Sequence, residues 1–232
     1  MPIAVLRFPG TNNEQDVMRA LKAIPNADPV LVTSRKGPEG LTNVDGVVIP
    51  GGFSYGDYLR AGAIASIENV MDGIRSIAES DRPVLGICNG FQILAEAGLL
   101  PGVLLPNISS HFICKWVYLQ VADRTTMYTE GLENAVLRLP IAHSDGNYFC
   151  DDDVFGRLVT DGRIPFRYCD KDGNPDQASN PNGSIGNIAG VINDRGNVLG
   201  LMPHPERASR EILGSVDGRA ILDNFVRGCI EK

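Results

Sequence analysis

Residues 83–92, PVLGICNGFQ, constrain the fold more than any other stretch of this chain. The run Pro83-Val84-Leu85-Gly86-Ile87 reads as a short buried strand, and Phe91 to Ala97 reads as a helix ended by Gly98. Between them Gly86-Ile87-Cys88-Asn89-Gly90 gives G-x-C-x-G at a strand-to-helix turn, the thiol counterpart of a G-x-S-x-G nucleophile elbow. A sharp turn leaves no room for Cβ atoms on either side of a strained nucleophile, which explains the two glycines. The helix N-terminus presents unpaired N–H groups and a positive dipole end, which favour thiolate over thiol. The segment also fits a structural cysteine in an α/β strand, because cysteine is often buried.

A second segment weighs toward the nucleophile. Residues 198–207, VLGLMPHPER, give another apolar strand that ends in Pro203-His204-Pro205-Glu206. The two prolines hold the backbone extended around the histidine, and in an extended chain residues two apart point the same way. Glu206 therefore shares a side with His204, as an orienting carboxylate must with its base. A lone His-Pro-Glu would ordinarily be an exposed turn. Here the chain has only three histidines, and this one follows a strand, as Cys88 does. Open α/β sheets place their sites at the carboxyl ends of strands, so the pattern favours a Cys88–His204–Glu206 triad.

The remaining signals alternate between strand and helix. Residues 2–8, 29–33 and 44–49 read as strands; a helix between the first two carries Val17, Ala20, Leu21 and Ile24 on one stripe. A long helix is expected over about 62–79, with Ile64, Ile67, Met71, Ile74 and Ile77 on one side. This β-α-β-β-α-β order predicts a largely parallel sheet with right-handed crossovers. The C-terminal half differs. Residues 112–121 read as a half-buried antiparallel strand, with short strands near 135–141, 164–169, 188–193 and 198–202. A final helix carries Leu222, Phe225, Val226, Cys229 and Ile230. Residues 150–187 are rich in Asp, Gly, Asn and Pro and read as long loops, with Asp151-Asp152-Asp153 as a solvated stretch and not a metal site. With no repeat or linker, residues 1–232 read as one domain.

Composition narrows the function. A hydrophobic fraction of 43% over 232 residues is enough for a sizeable core. A net charge of −7 argues against nucleic acid or an anionic membrane surface as partner. The five cysteines have no regular spacing and no C-x-x-C pair, so neither a disulfide framework nor a zinc site is expected. With no charged-then-apolar leader and no run of 18 apolar residues, the chain reads as soluble and cytoplasmic.

Pro50-Gly51-Gly52, the Gly86 to Gln92 segment and His204-Pro205-Glu206, in that order, resemble the class I (triad-type) glutamine amidotransferases. PGGFSYGDYLRAGAIA (residues 50–65), GICNGFQIL (86–94), IAHSDGNY (141–148) and NPNGSIGNIAG (180–190) are similar to that family's small glutaminase subunits of de novo purine synthesis. The resemblance runs from Pro2 through the final helix. It implies an α/β fold with a flavodoxin-like open, mostly parallel sheet flanked by helices, with extra antiparallel strands in the C-terminal half. It also implies hydrolysis of glutamine to glutamate and ammonia through a cysteinyl thioester on Cys88, with His204 as base and Glu206 holding the imidazole. By the same resemblance the Gly52 and Asn89 N–H groups form the oxyanion hole, Gln92 contacts the glutamine and His143 helps shape its pocket. Read as residues alone, Gln92 also fits an ordinary helix residue, and His143 equally a loop histidine bonding a backbone carbonyl.

The resemblance sets three further expectations. Asn12-Asn13-Glu14 departs from the cysteine-containing loop expected of the family, leaving that loop without an assigned role. Phe53-Ser54-Tyr55-Gly56-Asp57-Tyr58 reads either as packing or as a partner-facing lid, and a glycine before it predicts an oxyanion N–H that turns inward only when a partner docks. The chain has no Walker-type loop, so ATP and magnesium belong on a separate large synthetase subunit, with a small third subunit also implied and no cofactor here. The alternatives are a glutaminase serving another acceptor, a cysteine peptidase or chaperone-like protein on the same core, and a catalytically silent binding subunit.

Overall fold

The computed structural model describes residues 1–121, 125–133 and 135–230. In chain order the strands are β1 (Pro2–Arg7), β2 (Asp28–Thr33), β3 (Gly46–Ile49), β4 (Val84–Ile87), β5 (Val103–Leu105) and β6 (Ile113–Val121). They continue with β7 (Val136–His143), β8 (Asn147–Phe149), β9 (Phe166–Cys169), β10 (Ile188–Ile192) and β11 (Val198–Leu201). The helices are α1 (Glu14–Lys22), α2 (Val70–Glu79), α3 (Asn89–Glu96), α4 (Asp152–Thr160) and α5 (Asp217–Ile230).

Short apolar runs make the centre of the sheet. Every residue of β3, β4 and β11 is buried, as expected of parallel strands covered on both faces. The sheet order is β2-β1-β3-β4-β11-β10-β9-β6-β7. Its first five strands are parallel and follow the flavodoxin-like arrangement. From β11 onward each neighbour is antiparallel. That half curls round until β7 lies over the carboxyl ends of the parallel strands: Pro140 O accepts from His204 N at 2.9 Å, and Ala142 O lies 3.7 Å from Cys88 Sγ. A separate pair, β5 with β8, has no counterpart in the sequence reading.

Helix α3 sits unusually close to the sheet. A Cβ on Gly90 would meet Ile49 O at 2.0 Å, and one on Gly200 would meet the Phe91 ring at 2.1 Å. Glycine at both places lets α3 press its N-terminus onto β3, β4 and β11, the strands that deliver the candidate site.

Two expectations about elements need correction. The helix expected over 62–79 is broken: Ala65–Ile67 form a short 3-10 turn, Glu68 is extended with ψ 148°, and α2 begins only at Val70. Gly62 stands before this turn with a left-handed φ of 82°, so close to α3 that a Cβ there would meet Ile93 N at 2.8 Å. Ile67 is consequently 81% exposed, off the buried stripe. The stretch 150–187 is not all loop, because α4 lies within it. Asp151 caps that helix by accepting from Val154 N at 2.7 Å, and Asp152 and Asp153 fall in the first turn, where the helix dipole favours negative charge.

Candidate active site

Because β3, β4 and β11 are parallel neighbours, the residues that follow them meet at one edge of the sheet. Val48 pairs with Leu85 and Leu201 with Ile87, so Gly51, Cys88 and His204 leave the sheet side by side. Strand pairing reaches the nucleophile itself, for Cys88 N donates to Leu201 O at 2.8 Å. Cys88 then adopts φ 50°, ψ −105°, a strained conformation that turns the chain straight into α3. Gly86 and Gly90 flank the turn, and a Cβ on Gly86 would meet Gly90 O at 2.6 Å.

The histidine and glutamate do come together, but not along the extended chain expected: His204 is extended at φ −102°, ψ 93°, while Pro205–Ala208 form a 3-10 turn, and this turn brings Glu206 back to the imidazole. His204 Nδ1 lies 2.6 Å from Glu206 Oε1, and both side chains are buried. Burial by itself pulls the imidazole pKa down. The Glu206 carboxylate and the Cys88 sulfur outweigh that, and the imidazole is held well above its ordinary value. Nδ1–H is therefore the donor to Glu206, and Nε2, which has no hydrogen-bond partner among the described residues, is left to the thiol side. Gly51 completes this wall: a Cβ there would lie 2.8 Å from His204 Cε1 and 3.4 Å from Cys88 Cβ.

The two candidate oxyanion donors flank the thiol. Gly51 O accepts from the N–H groups of Asn12 and Asn13 at 3.4 and 3.3 Å. In a trans peptide the N–H points opposite to the C=O, so the Gly52 N–H is turned away from that loop toward the open side. Asn89 is the first residue of α3, and its N–H has no acceptor within the helix. These two bonds hold the Gly51–Gly52 peptide in this orientation. The Asn89 side chain binds the following loop as well, its Oδ1 accepting from Ser54 N at 3.0 Å and its Nδ2 lying 3.3 Å from Asp57 Oδ1. Tyr58 and Leu59, beyond this anchor, are 75% and 89% exposed.

Gln92 and His143 lie on the same side as Asn89. Gln92 Oε1 accepts from Asn89 Nδ2 at 2.9 Å, and its Nε2 donates to Asp145 O at 2.6 Å, so it braces α3 against the loop after β7. His143 is at the end of β7, not in a loop, and its Nδ1 bonds Asn107 Oδ1 at 3.0 Å, a side chain and not a backbone carbonyl. Asn107 Nδ2 donates to two carbonyls, so its Oδ1 is the acceptor and His143 Nδ1 carries the proton. Burial, then the charge of His204, pushes the His143 pKa down to about 4, leaving a neutral ring whose Nε2 has no partner. At the mouth, Asp57 is pushed up to about 6 by burial and by the nearby Asp145 carboxylate. None of the five cysteines is in a disulfide. Among the described residues no group of three or more His, Cys, Asp and Glu is placed to hold a metal ion.

A thiol at a helix N-terminus beside a buried imidazole–carboxylate pair, with backbone N–H groups next to it, has the parts that acyl transfer requires. Residues 1–221 match the family described as CobB/CobQ-like glutamine amidotransferase domain. The chain belongs to that family. It is 52% identical over 225 residues to the phosphoribosylformylglycinamidine synthase subunit PurQ of Pyrococcus furiosus, covering 96% of each chain. It is 49% identical to the PurQ subunit of Bradyrhizobium diazoefficiens, over 96% of this chain and 95% of that one. Among solved structures it is similar to a chain of PurLQS from Thermotoga maritima, with a TM-score of 0.84, 40% identity and 97% of each chain covered. This amidotransferase places three site features that the sequence reading did not assign: Gly51 over the triad, Asn107 behind His143, and Asn13, discussed below. Gly51 was legible in principle as the first half of Gly-Gly. The asparagines carry no local signal.

Proposed function

We propose that this chain is the glutaminase subunit of a phosphoribosylformylglycinamidine synthase, feeding ammonia to a separate synthetase that converts formylglycinamide ribonucleotide to formylglycinamidine ribonucleotide. The observation that carries the chemistry is the buried His204–Glu206 pair beside a cysteine held at φ 50° on a helix N-terminus. The observation that carries the acceptor is the level of identity to PurQ subunits over nearly the whole chain. Cys88 attacks the carboxamide carbon of glutamine, and the carbonyl electron pair moves onto oxygen between the Gly52 and Asn89 N–H groups. The sulfur attacks as the thiolate opposite protonated His204, which gives its proton to the departing ammonia as the C–N bond breaks, leaving a thioester. Neutral His204 then takes a proton from water, which attacks the thioester carbon. Glutamate leaves and the thiolate–imidazolium pair is restored. Glu206 holds the imidazole in the donating tautomer throughout. Gln92 and His143 shape the pocket as a brace and a neutral acceptor. ATP and magnesium act on the synthetase, and a small third subunit completes the cytoplasmic assembly.

Separability tests this reading. In the assembled complex Cys88→Ala should abolish glutamine-dependent synthesis of the amidine while ammonium salts still support it. A variant complex that ammonia fails to rescue, although properly assembled, would overturn the division of labour. A complex that uses glutamine but amidates a different acceptor would instead favour the runner-up, a glutaminase for another synthetase.

A further inference from the structure

Resting on the glutaminase reading, we infer that Asn13 is a positioning residue of the triad: its amide fixes the Glu206 carboxylate against His204, and Arg207 fixes the amide. Asn13 is 3% exposed and comes from the loop before α1, 191 residues from His204 in sequence. Its Nδ2 lies 3.4 Å from Glu206 Oε1 and 3.2 Å from His204 Nδ1. Nδ1 already donates its proton to Glu206 at 2.6 Å, so the amide hydrogen is directed to the carboxylate and not to the ring. Arg207 Nη2 donates to Asn13 Oδ1 at 2.5 Å, which decides the way the amide faces. Turned over, the amide would set its oxygen against the carboxylate and its NH₂ against the guanidinium.

The carboxylate depends on this contact. Among the described residues Glu206 Oε2 is buried without a partner, and the imidazole and the Asn13 amide, both on Oε1, are the hydrogen bonds that hold the group. Arg207 Nε stands 4.0 Å from the same Oε1 and 3.9 Å from Asp16, adding charge but no direct hydrogen bond to Glu206. Asn13 also reaches the other half of the site, since its backbone N–H bonds Gly51 O on the peptide that carries the Gly52 N–H. One residue therefore ties the triad to the anchored oxyanion peptide.

Asn13→Asp separates the amide donor from the space it fills. It keeps the shape, the acceptor for Arg207 and the backbone bond to Gly51, but loses the N–H and sets a like charge beside Glu206. In the assembled complex kcat of the glutamine-dependent reaction should fall about tenfold or more, the value of one hydrogen bond to a charged group. KM for glutamine and the ammonia-dependent rate should stay unchanged, the latter also reporting intact assembly. Asn13→Ala should fall similarly, and Arg207→Ala should cost much less on top of it than it does alone, because the arginine acts chiefly through the amide. A wild-type kcat in both Asn13 variants, a loss confined to KM, or an Arg207→Ala effect that adds in full would each overturn the inference. A wild-type complex unable to use glutamine would overturn the underlying reading instead.

Discussion

His143 offers a quantitative test of the site's electrostatics through protein stability. Its folded-state pKa is depressed from 6.5 to about 4 by burial and by His204, while in the unfolded chain it returns to its ordinary value. Between those pH values the unfolded state binds more protons than the folded one, so stability falls as the pH falls. At about 1.4 kcal/mol for each pH unit, the total loss from this one ring is about 3 kcal/mol between pH 6.5 and pH 4. The groups facing the ring are Asn107, which takes its Nδ1–H, Gly146, packed against its face, and His204. His204 does not blur the window: its folded pKa is raised, so below about pH 6.5 it is protonated in both states. Asp57, raised to about 6, acts in the opposite sense, gaining stability as the pH falls, and it is common to both proteins compared. The assay is urea unfolding of the wild type and of His143→Gln, which keeps an N–H for Asn107, at steps from about pH 7 to about pH 4. The variant should be the less acid-sensitive protein, and the difference in unfolding free energy should change by about 3 kcal/mol across the range in its favour. A difference that stays flat with pH would refute the reasoning, because it would mean the ring takes up its proton in the folded state as easily as in the unfolded one.

Three further outcomes are expected. Glu206→Gln removes the carboxylate that keeps the His204 imidazole charged and in the donating tautomer, so kcat of the glutamine reaction should drop by between about 10² and 10⁴ while ammonia-dependent synthesis persists. Gly90→Ala places a methyl 2.0 Å from Ile49 O and should lower the unfolding free energy. Overpacking of this kind costs roughly 1–3 kcal/mol, read as a shift in the urea midpoint. A glutamine-mimicking electrophile should modify Cys88 first, but a small unselective reagent will also find Cys114, which is exposed, so peptide mapping is best done on Cys114→Ser. Cys150 and Cys169 should lag, being buried with thiol pKa values pushed up, to about 11 for Cys169.

Much of this architecture is legible in local pattern because local pattern is where its physics lies. The run Val84 to Gly90 reads as strand, turn and helix because four buried residues, a strained nucleophile and two flanking glycines are all determined within seven positions. His204 and Glu206 are readable as neighbours in the sequence, but the extended chain expected to align them is replaced by a 3-10 turn over Pro205–Ala208, and that turn makes their contact. The errors lie where a tertiary contact overrides a periodic stripe. The isoleucines from Ile64 to Ile77 have helical spacing, yet Gly62 is pinned to the backbone of α3 and the first turns never join α2. Asp151 to Asp153 have the composition of a loop, but the first of them is the N-cap of a helix that buries Leu158.

The candidate site divides along the same line. The amino-acid sequence alone determines the chemical parts of this protein, namely a thiol on an elbow, an imidazole beside a carboxylate, and glycines where backbone must approach backbone. It also points to parallel pairing of the strands that end at Gly51 and Cys88, because a helical crossover joins them, whereas the place of β11 beside β4 is decided by the fold. The partners those parts find were decided only by the folded chain. Asn13 reaches Glu206, Asn107 takes the His143 proton, Pro140 and Ala142 present carbonyls to His204 and Cys88, and Gly51 roofs the triad. Each of these contacts joins segments between 36 and 193 residues apart or depends on the curl that brings β7 back over β4 and β11. A side-chain amide has no preferred partner until the sheet closes, since hydrogen bonding is short-ranged and its direction is set by whatever the packing leaves within about 3 Å.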